Sequence, residues 1–201
     1  FTNHLIRNPK MLDYSFAFRL LAKEISWSNQ VEQAVQEPAL KEMLKRHKEE
    51  QQRLAALMEG RSFYLPYPEL DGNAVMKKIL EKHSGKAVFL DIWATWCGPC
   101  RMGHEQMKPM KEELKGQDVV FVYITPPSSP VGTWNEMITE IDGEHYYLSN
   151  EQTQAIMSTL QSTGFPTYAV YDRAGNLTFK DTGLYKDNNY YKNEIEKALK
   201  R

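Results

Sequence analysis

The sequence predicts an α/β fold in which helices flank a mixed central sheet. Short, almost wholly apolar runs alternate with segments of helical periodicity, which is the pattern of strands and helices that follow one another. Two of these runs have the continuous apolar character of strands buried on both faces. The last two strand-like runs are separated by a turn-rich segment and precede a final helix, so we expect a hairpin near the end of the chain.

The composition excludes several classes of protein. With 201 residues, 41% of them hydrophobic and 25% charged, the chain can form a packed core. Its 25 Lys and Arg balance 26 Asp and Glu, a formal net charge of −1, so the charge predicts no nucleic-acid partner and no anionic membrane surface. No apolar run approaches the roughly 18 residues of a transmembrane helix. Because the chain starts at Phe1 rather than Met, we expect a trimmed or processed form, and nothing follows about a signal peptide.

A helical segment is predicted ahead of the sheet, in residues 1–60. Pro38 suits the first position of a helix, where its missing N–H has no cost. Apolar side chains after it fall on one helical stripe, and Glu42 and Arg46 form an i,i+4 pair on the opposite side. We expect this segment to cover one face of a main domain formed by residues 61–201; the alternative is an element that binds a partner or dimerises.

The first half of the main domain is predicted to alternate helices and strands. In chain order, the elements are a linker or edge strand at 61–71, a helix between Gly72 and Ser84, a buried strand at 87–93, a helix whose inner face carries Met107, Met110 and Leu114, and a second buried strand at 119–124.

The second half is predicted to contain three helices, a short strand and the hairpin. Ser129 and Pro130 suit the N-cap and first position of the first of these helices. The remaining elements are a short strand at 145–148, a helix at 152–160, hairpin strands at 166–171 and 177–180, and a final helix carrying Tyr191, Ile195 and Leu199.

The chain has two cysteines, which lie three positions apart in the stretch Cys97-Gly98-Pro99-Cys100. A disulfide-stapled secreted scaffold would need more cysteines at wider spacing, and a structural zinc site would need two further ligands. The histidines show no zinc-binding spacing around the cysteines. His104, four residues after Cys100, could reach the same helix face, but we expect it to be a solvated helix residue. No metal and no cofactor are therefore predicted.

The position of the two cysteines suits thiol–disulfide chemistry. A thiolate is the nucleophile, and the free N–H groups at the start of a helix stabilise such an anion. Cys97 follows a predicted strand and opens a predicted helix, and Cys100 lies one turn further on, within disulfide reach. We expect Cys97 to attack a substrate disulfide and Cys100 to resolve the mixed disulfide. The motif alone is only moderately specific, since chance or a metal-binding knuckle also produces it; its place between strand and helix favours the redox interpretation.

The residues around the cysteines carry a family resemblance. Trp96-Cys97-Gly98-Pro99-Cys100, preceded by Asp91-Ile92-Trp93-Ala94, resembles the active-site stretch of thioredoxins, and the order of elements in residues 63–201 is similar to the TlpA-like extracytoplasmic branch of that superfamily. The resemblance implies a thioredoxin fold, with an extra strand and helix inserted in the long stretch from Ile124 to Pro166. It also implies protein or peptide disulfides as substrates, an upstream thiol–disulfide electron donor, and a periplasmic or otherwise extracytoplasmic location.

The same resemblance assigns expected roles to two residues beside the cysteines. Asp91 matches the buried acid that is the proposed proton acceptor for Cys100; a capping or edge carboxylate is the alternative. An acid inside an apolar strand is costly to bury, which favours the functional role. Trp96 matches the tryptophan that shapes the surface where substrate docks, and simple packing is its alternative.

A second matching stretch is Gly164-Phe165-Pro166-Thr167, which resembles the cis-proline loop of the superfamily. The resemblance implies that Pro166 packs beside the cysteines and that the backbone of Phe165 binds an extended substrate peptide. A trans proline at the start of a strand is the alternative. Gly183 is a weaker match to a glycine near the groove. Glu105 stands where the family commonly has a helix-kinking proline, and residues 1–60 lie outside the resemblance.

Several functions compete for this pattern. Gly98-Pro99 resembles the reducing thioredoxins, whereas strongly oxidising relatives usually place a histidine between the cysteines, so a reductase is favoured over a protein-disulfide oxidase. A peroxidase would need a threonine three residues before its cysteine, and Thr95 lies only two before Cys97. The non-enzymatic alternative is a partner-binding module in which the cysteine pair is secondary.

Overall fold

The computed structural model describes residues 58–201, together with residues 38, 41–43, 45, 46, 49 and 53. The chain divides into two compact units between residues 57 and 58. No described helix is both long and apolar enough to cross a bilayer. The predicted domain boundary after residue 60 stays a prediction.

The described residues of the first unit, from Pro38 onward, are helical. The predicted pair is present, with Arg46 Nε lying 3.6 Å from a carboxylate oxygen of Glu42, and a second i,i+4 pair joins Lys45 to Glu49 at 4.0 Å. All four side chains are exposed to solvent. Residues 1–37 and most of the predicted apolar stripe lie outside the described residues, and the role of this segment stays a prediction.

The second unit is built on a six-stranded mixed sheet in the order β1-β4-β3-β2-β5-β6. Strands β1 to β4 run parallel to one another, and β5 pairs antiparallel with both β2 and β6. The strands are β1 (Ser62–Tyr64), β2 (Ala87–Ile92), β3 (Val119–Thr125), β4 (Glu144–Tyr147), β5 (Thr167–Tyr171) and β6 (Leu177–Thr182). This confirms the mixed sheet and the hairpin, which is formed by β5 and β6.

Five helices of the second unit connect and cover these strands. They are α1 (Gly72–Lys82), α2 (Gly98–Glu113), α3 (Val131–Met137, continued by a 3₁₀ turn at Ile138–Glu140), α4 (Asn150–Thr159) and α5 (Asn188–Leu199). One predicted cap was wrong: α3 begins at Val131, Pro130 occupies the cap position, and no side chain caps the helix. The hydroxyl of Ser129 instead accepts a hydrogen bond from the backbone of Thr95, more than thirty residues earlier.

The central strand β2 is buried along its whole length because helices cover both faces of the sheet. Val88, Leu90 and Ile92 pack in one core cluster with residues of α1 and α4. Ala87 and Phe89 pack in a second cluster with residues of α2 and α5. Because side chains alternate along a strand, Asp91 belongs to the α2 face. The sheet therefore places one carboxylate beneath the helix that carries the cysteines.

Candidate active site

The two cysteines are joined by a disulfide, with their Cα atoms 5.3 Å apart. Strand β2 ends at Ile92, and Cys97 is the N-cap residue of α2. Its sulfur accepts a hydrogen bond from the backbone N–H of Cys100, at 3.2 Å. This N–H is one of the first donors of a helix, which have no partner inside the helix. The first cysteine thus lies where the helix start stabilises a thiolate.

Two serines hold the segment that leads from β2 to Cys97. The backbone N–H of Thr95 donates to the buried Ser129 hydroxyl at 2.9 Å, and the Trp96 indole N–H donates to the Ser128 hydroxyl at 3.3 Å. The sequence analysis placed Ser129 at a helix cap and did not connect either serine with the cysteines. A pair of serines in a short loop after the neighbouring strand was the available signal, since parallel strands end at the same edge of the sheet.

The exposed surface beside the cysteines is aromatic. Cys97 is only 4% exposed and Cys100 is fully buried, whereas Trp96 is 61% exposed. The rings of Trp96 and Phe165 meet edge to face, with their centroids 5.9 Å apart. The structure therefore brings together two residues that the sequence predicted to bind substrate.

The loop before β5 contains a cis peptide bond between Phe165 and Pro166, as predicted. The Thr167 hydroxyl donates to the carbonyl of Gly164 at 2.6 Å. The backbone N–H of Gly183 donates to the Pro166 carbonyl at 3.0 Å, and Gly183 has a φ of +106°, which favours glycine. Gly183, the weaker match to the family, is thus hydrogen-bonded directly to the cis-proline loop.

Asp91 is fully buried within the central strand, a position that does not fit an edge or capping carboxylate. Its Oδ2 lies 3.0 Å from Nε2 of His104, and its Oδ1 has no hydrogen-bond partner within the described part of the chain. Burial raises the pKa of Asp91, and the hydrogen bond and charge of His104 oppose that rise without cancelling it. The carboxyl can therefore hold a proton at a higher pH than an exposed aspartate.

The expectation that His104 is solvated was wrong. The residue is 5% exposed, and its ring meets the ring of Trp93 edge to face at 4.8 Å and that of Tyr123 at 5.5 Å. The reason is helical spacing: Cys100 and Met107 are both buried on α2, and a residue between them at i+4 and i−3 shares their face. That spacing was visible in the sequence, but the position of His104 opposite Asp91 was not.

Lys111 lies close to the cluster of Asp91, His104 and Tyr123. The ammonium of Lys111 donates to the Tyr123 hydroxyl at 3.0 Å and to the carbonyl of Asp142. Burial lowers the pKa of Lys111 to about 8, although the negative charges of Asp142 and Asp91 favour its charged form. Across the described residues, no group of three or more His, Cys, Asp or Glu side chains could hold a metal ion.

Two curated proteins each match about half of the chain. Over 95 residues it is 30% identical to thioredoxin M3, chloroplastic, from Oryza sativa subsp. japonica, which covers 47% of this chain and 50% of that protein. Over 99 residues it is 25% identical to the thiol-disulfide oxidoreductase ResA from Bacillus subtilis strain 168, covering 49% of this chain and 54% of that protein. The chain thus spans about half the length of these relatives.

A solved structure supports the fold. The crystal structure of a thiol:disulfide interchange protein of the thioredoxin family from Chlorobium tepidum TLS matches with a TM-score of 0.51 and 24% identity, covering 59% of this chain and 83% of that one. This likeness confirms the thioredoxin fold, and the relatives confirm the resemblance to the thioredoxin superfamily.

The family model described as Redoxin matches residues 58–199, which is nearly all of the second unit and includes both cysteines, Asp91 and the cis-proline loop. With this match over more than half of its length, the chain belongs to the Redoxin family.

Proposed function

We propose that this chain is a thiol–disulfide oxidoreductase that reduces disulfides of partner proteins through Cys97 and Cys100. One observation carries the proposal: Cys97 is the N-cap of α2, its sulfur accepts a hydrogen bond from the backbone N–H of Cys100, and the two cysteines form a disulfide. A helix start stabilises the thiolate, and a bonded partner one turn away is what closes a dithiol–disulfide cycle. The two sulfurs carry the two electrons, so the proposed reaction needs no cofactor.

The proposed cycle balances in two exchanges. The thiolate of reduced Cys97 attacks one sulfur of a substrate disulfide; a bond to Cys97 forms, the substrate S–S bond breaks, and one substrate thiolate leaves. Cys100 then loses its proton and attacks Cys97, which forms the intramolecular disulfide seen here and releases the second substrate thiolate. The substrate gains two electrons and, from water, two protons; the enzyme dithiol is oxidised. An upstream dithiol donor resets the enzyme by the reverse exchange.

Asp91 is proposed to take the proton of Cys100. The acid lies on the α2 face of the sheet, its pKa is raised by burial, and one of its oxygens has no partner within the described residues. A carboxylate with a raised pKa is a stronger base than an exposed aspartate, which suits it to accept the proton of a thiol.

The proposed substrate surface consists of Trp96, Phe165 and Pro166. The exposed Trp96 ring meets Phe165, and the Pro166 loop is held by Thr167 and Gly183, so an extended peptide would meet a rigid surface. Addition of a short strand beside this loop fits such a site, because backbone hydrogen bonds bind many sequences.

Reduction is favoured over oxidation because Gly98-Pro99 resembles the reducing thioredoxins. We expect a reduction potential of about −270 mV, whereas a value of about −120 mV would favour the oxidase instead. The binding-module alternative predicts no turnover at all. A second proposal, which the TlpA-like resemblance supports, is a location outside the cytoplasm; fractionation of cells that express the natural gene product tests it.

The test of the proposed function is reduction of insulin disulfides, followed by capture of partners. Wild-type protein is expected to turn over with dithiothreitol as electron donor, whereas Cys97→Ser and Cys100→Ser are inactive. Cys100→Ser is expected to retain substrates as mixed disulfides on Cys97, because no resolving thiol remains, and these are visible on non-reducing gels.

Cys97→Ser is the matched control for capture, since it keeps one cysteine but lacks the nucleophile. Equal capture by both variants would contradict the assigned roles. Failure of the wild type to reduce insulin, with the cysteines intact, would favour the binding module.

A further inference from the structure

A cavity of about 250 Å³ lies along the later turns of α2. We call it the α2 cavity; its lining includes His104, Lys108 and Lys111 from the helix, and Glu140, Ile141 and Asp142 from the segment before β4. Exposed residues such as Lys108 and Asp142 lie on its wall, so the cavity reaches solvent. None of the residues proposed to bind substrate lines it.

His104 connects the α2 cavity to the buried acid. The residue is 5% exposed and lines the cavity, and its Nε2 lies 3.0 Å from Asp91 Oδ2. Asp91 has no exposed surface of its own. A histidine ring has two nitrogens, so it can accept a proton on one and release a proton from the other. The pair is therefore a continuous path from a fully buried carboxyl to a solvent-reaching space.

We propose that His104 carries protons between Asp91 and the α2 cavity during thiol–disulfide exchange. This inference rests on the proposed function, and it makes His104 a positioning and relay residue that acts through Asp91. When Cys100 attacks Cys97, its proton passes to Asp91, and Asp91 passes a proton to Nε2 of His104. The imidazolium releases a proton into the cavity, and the substrate thiolate that leaves takes one from water. In the reverse exchange the protons move inward.

The relay matters because Cys100 and Asp91 have no exposed surface, and a docked substrate would cover Cys97 as well. Cys97 is only 4% exposed, and a peptide bound on Trp96 and Phe165 would leave the cysteines without contact to solvent. Asp91 lies beneath α2 and is itself inaccessible. A path that opens one turn beyond Cys100 lets the proton leave while the mixed disulfide is still bound.

The other groups that face the pair do not replace His104. Burial raises the pKa values of Tyr123 on β3 and Tyr168 on β5, which stay neutral. Burial lowers the pKa of His145 on β4 to about 3, so it is also neutral. Burial lowers the pKa of Lys111 to about 8, but its ammonium donates to the Tyr123 hydroxyl and to the Asp142 carbonyl, whereas Asp91 is hydrogen-bonded to His104. The other charged or titratable groups around the pair and its cavity are Lys108 and Glu112 on α2, Lys115 just after it, Arg61 before β1, Glu140 and Asp142 before β4, and Tyr185 after β6.

The test uses small-molecule exchange, which needs no protein substrate. The rate at which dithiothreitol reduces the Cys97–Cys100 disulfide is followed by tryptophan fluorescence in the full chain, from about pH 6 to about pH 9. His104→Gln is expected to slow this step by on the order of 10- to 100-fold near neutral pH, because delivery of a proton to Cys100 through Asp91 is lost. Ionisation of dithiothreitol raises the rate of every variant with pH, so the ratio of variant to wild-type rate is compared at each pH.

The matched control is His83→Gln. His83 also lies beside a carboxylate, with Nε2 3.0 Å from Glu144, but it lies at the end of α1 and lines no part of the α2 cavity. Its replacement is expected to leave the exchange rate and its pH profile unchanged.

Chemical rescue separates a proton carrier from a structural residue. In His104→Ala, added imidazole is expected to restore the rate several-fold, whereas pyrazole, a ring of the same shape and much weaker basicity, is not. Equal rescue by both rings, or a His104→Gln rate and pH profile equal to those of wild type, would overturn the relay. If both His104 variants fail to fold, the test uses Ile141→Phe, which narrows the α2 cavity and leaves His104 and Asp91 unchanged. A wild-type rate of disulfide reduction in this variant overturns the relay, and a slower rate supports it.

The outcomes also separate the two proposals. A wild-type disulfide that dithiothreitol and insulin both leave unchanged would remove the proposed function. A wild type that exchanges normally, together with indifferent His104 and Ile141 variants, would remove the relay alone.

Discussion

At the scale of single residues, burial of Asp91 lowers the stability of the fold but suits the carboxyl to its proposed role as proton acceptor. Asp91 is the next-to-last residue of a strand whose other residues are buried and apolar, and a buried carboxylate is costly unless it is paired. The pair with His104 offsets part of this cost but leaves the pKa of Asp91 raised. A group with a raised folded-state pKa contributes most to stability at low pH and loses that contribution as pH rises through the folded pKa.

The variant Asp91→Asn is therefore expected to be more stable than wild type at neutral and higher pH, and to lose that advantage on acidification. It is also expected to reduce insulin more slowly, because the proton acceptor for Cys100 is gone. Urea unfolding and insulin reduction, each across a pH series, measure the two effects.

Asp187→Asn is the control for this change. Asp187 is an exposed N-cap of α5, where asparagine caps equally well, so stability and rate should both stay near wild type. An Asp91→Asn protein with unchanged kinetics near neutral pH would remove Asp91 from the mechanism.

At the scale of secondary-structure elements, two helices begin with a glycine for different reasons. Gly72 starts α1, and a Cβ there would lie 1.9 Å from the backbone oxygen of Gln152 on α4. Gly98 starts α2, and a Cβ there would have no atom within 4 Å. The first glycine lets two helices approach each other; the second stands in open space beside the cysteines.

Gly72→Ala is expected to lower the free energy of unfolding by about 3 kcal/mol or more, because a helix backbone cannot move aside as a flexible side chain can. Gly98→Ala is expected to stay within about 0.5 kcal/mol of wild type, on the stabilising side. Chemical denaturation of the oxidised proteins compares the two. Equal losses would show that neither effect comes from the contact between α1 and α4.

At the scale of the whole molecule, the start of the redox unit depends on one methionine. Met58 is 4% exposed and packs in the cluster that contains Trp93, Cys97 and Cys100. Its carbonyl also accepts hydrogen bonds from the backbone N–H groups of Arg61, at 2.9 Å, and Ser62, at 3.0 Å. The predicted domain 61–201 leaves this residue out, whereas the compact unit begins with it.

A chain of residues 58–201 is expected to fold and to keep disulfide exchange with dithiothreitol. A chain of residues 61–201 is expected to be less stable by about 2 kcal/mol or more, since it loses a buried methionine side chain. Thermal unfolding of both chains, with Met58→Ala in the full chain as control, measures this loss. Equal stability of the two shortened chains would show that packing of Met58 against Trp93 and the cysteines does not stabilise the unit.

Local pattern was sufficient for much of this protein. The order of strands and helices, the buried strands, the hairpin and the place of Cys97 at a helix start all depend on residues close together in the chain, where periodicity and capping act. The role expected for Asp91 and the cis bond before Pro166 came from stretches of about ten residues or fewer that resemble a known family.

Contacts between distant segments were beyond the reach of that pattern. The bond from Thr95 to Ser129, the pairing of His104 with Asp91, and the α2 cavity each join segments that the sheet topology brings side by side. Periodicity states which face of an element is buried, but not which polar group lies across from it. Because α2 packs on the sheet, His104, which we expected in solvent, is buried and paired with Asp91.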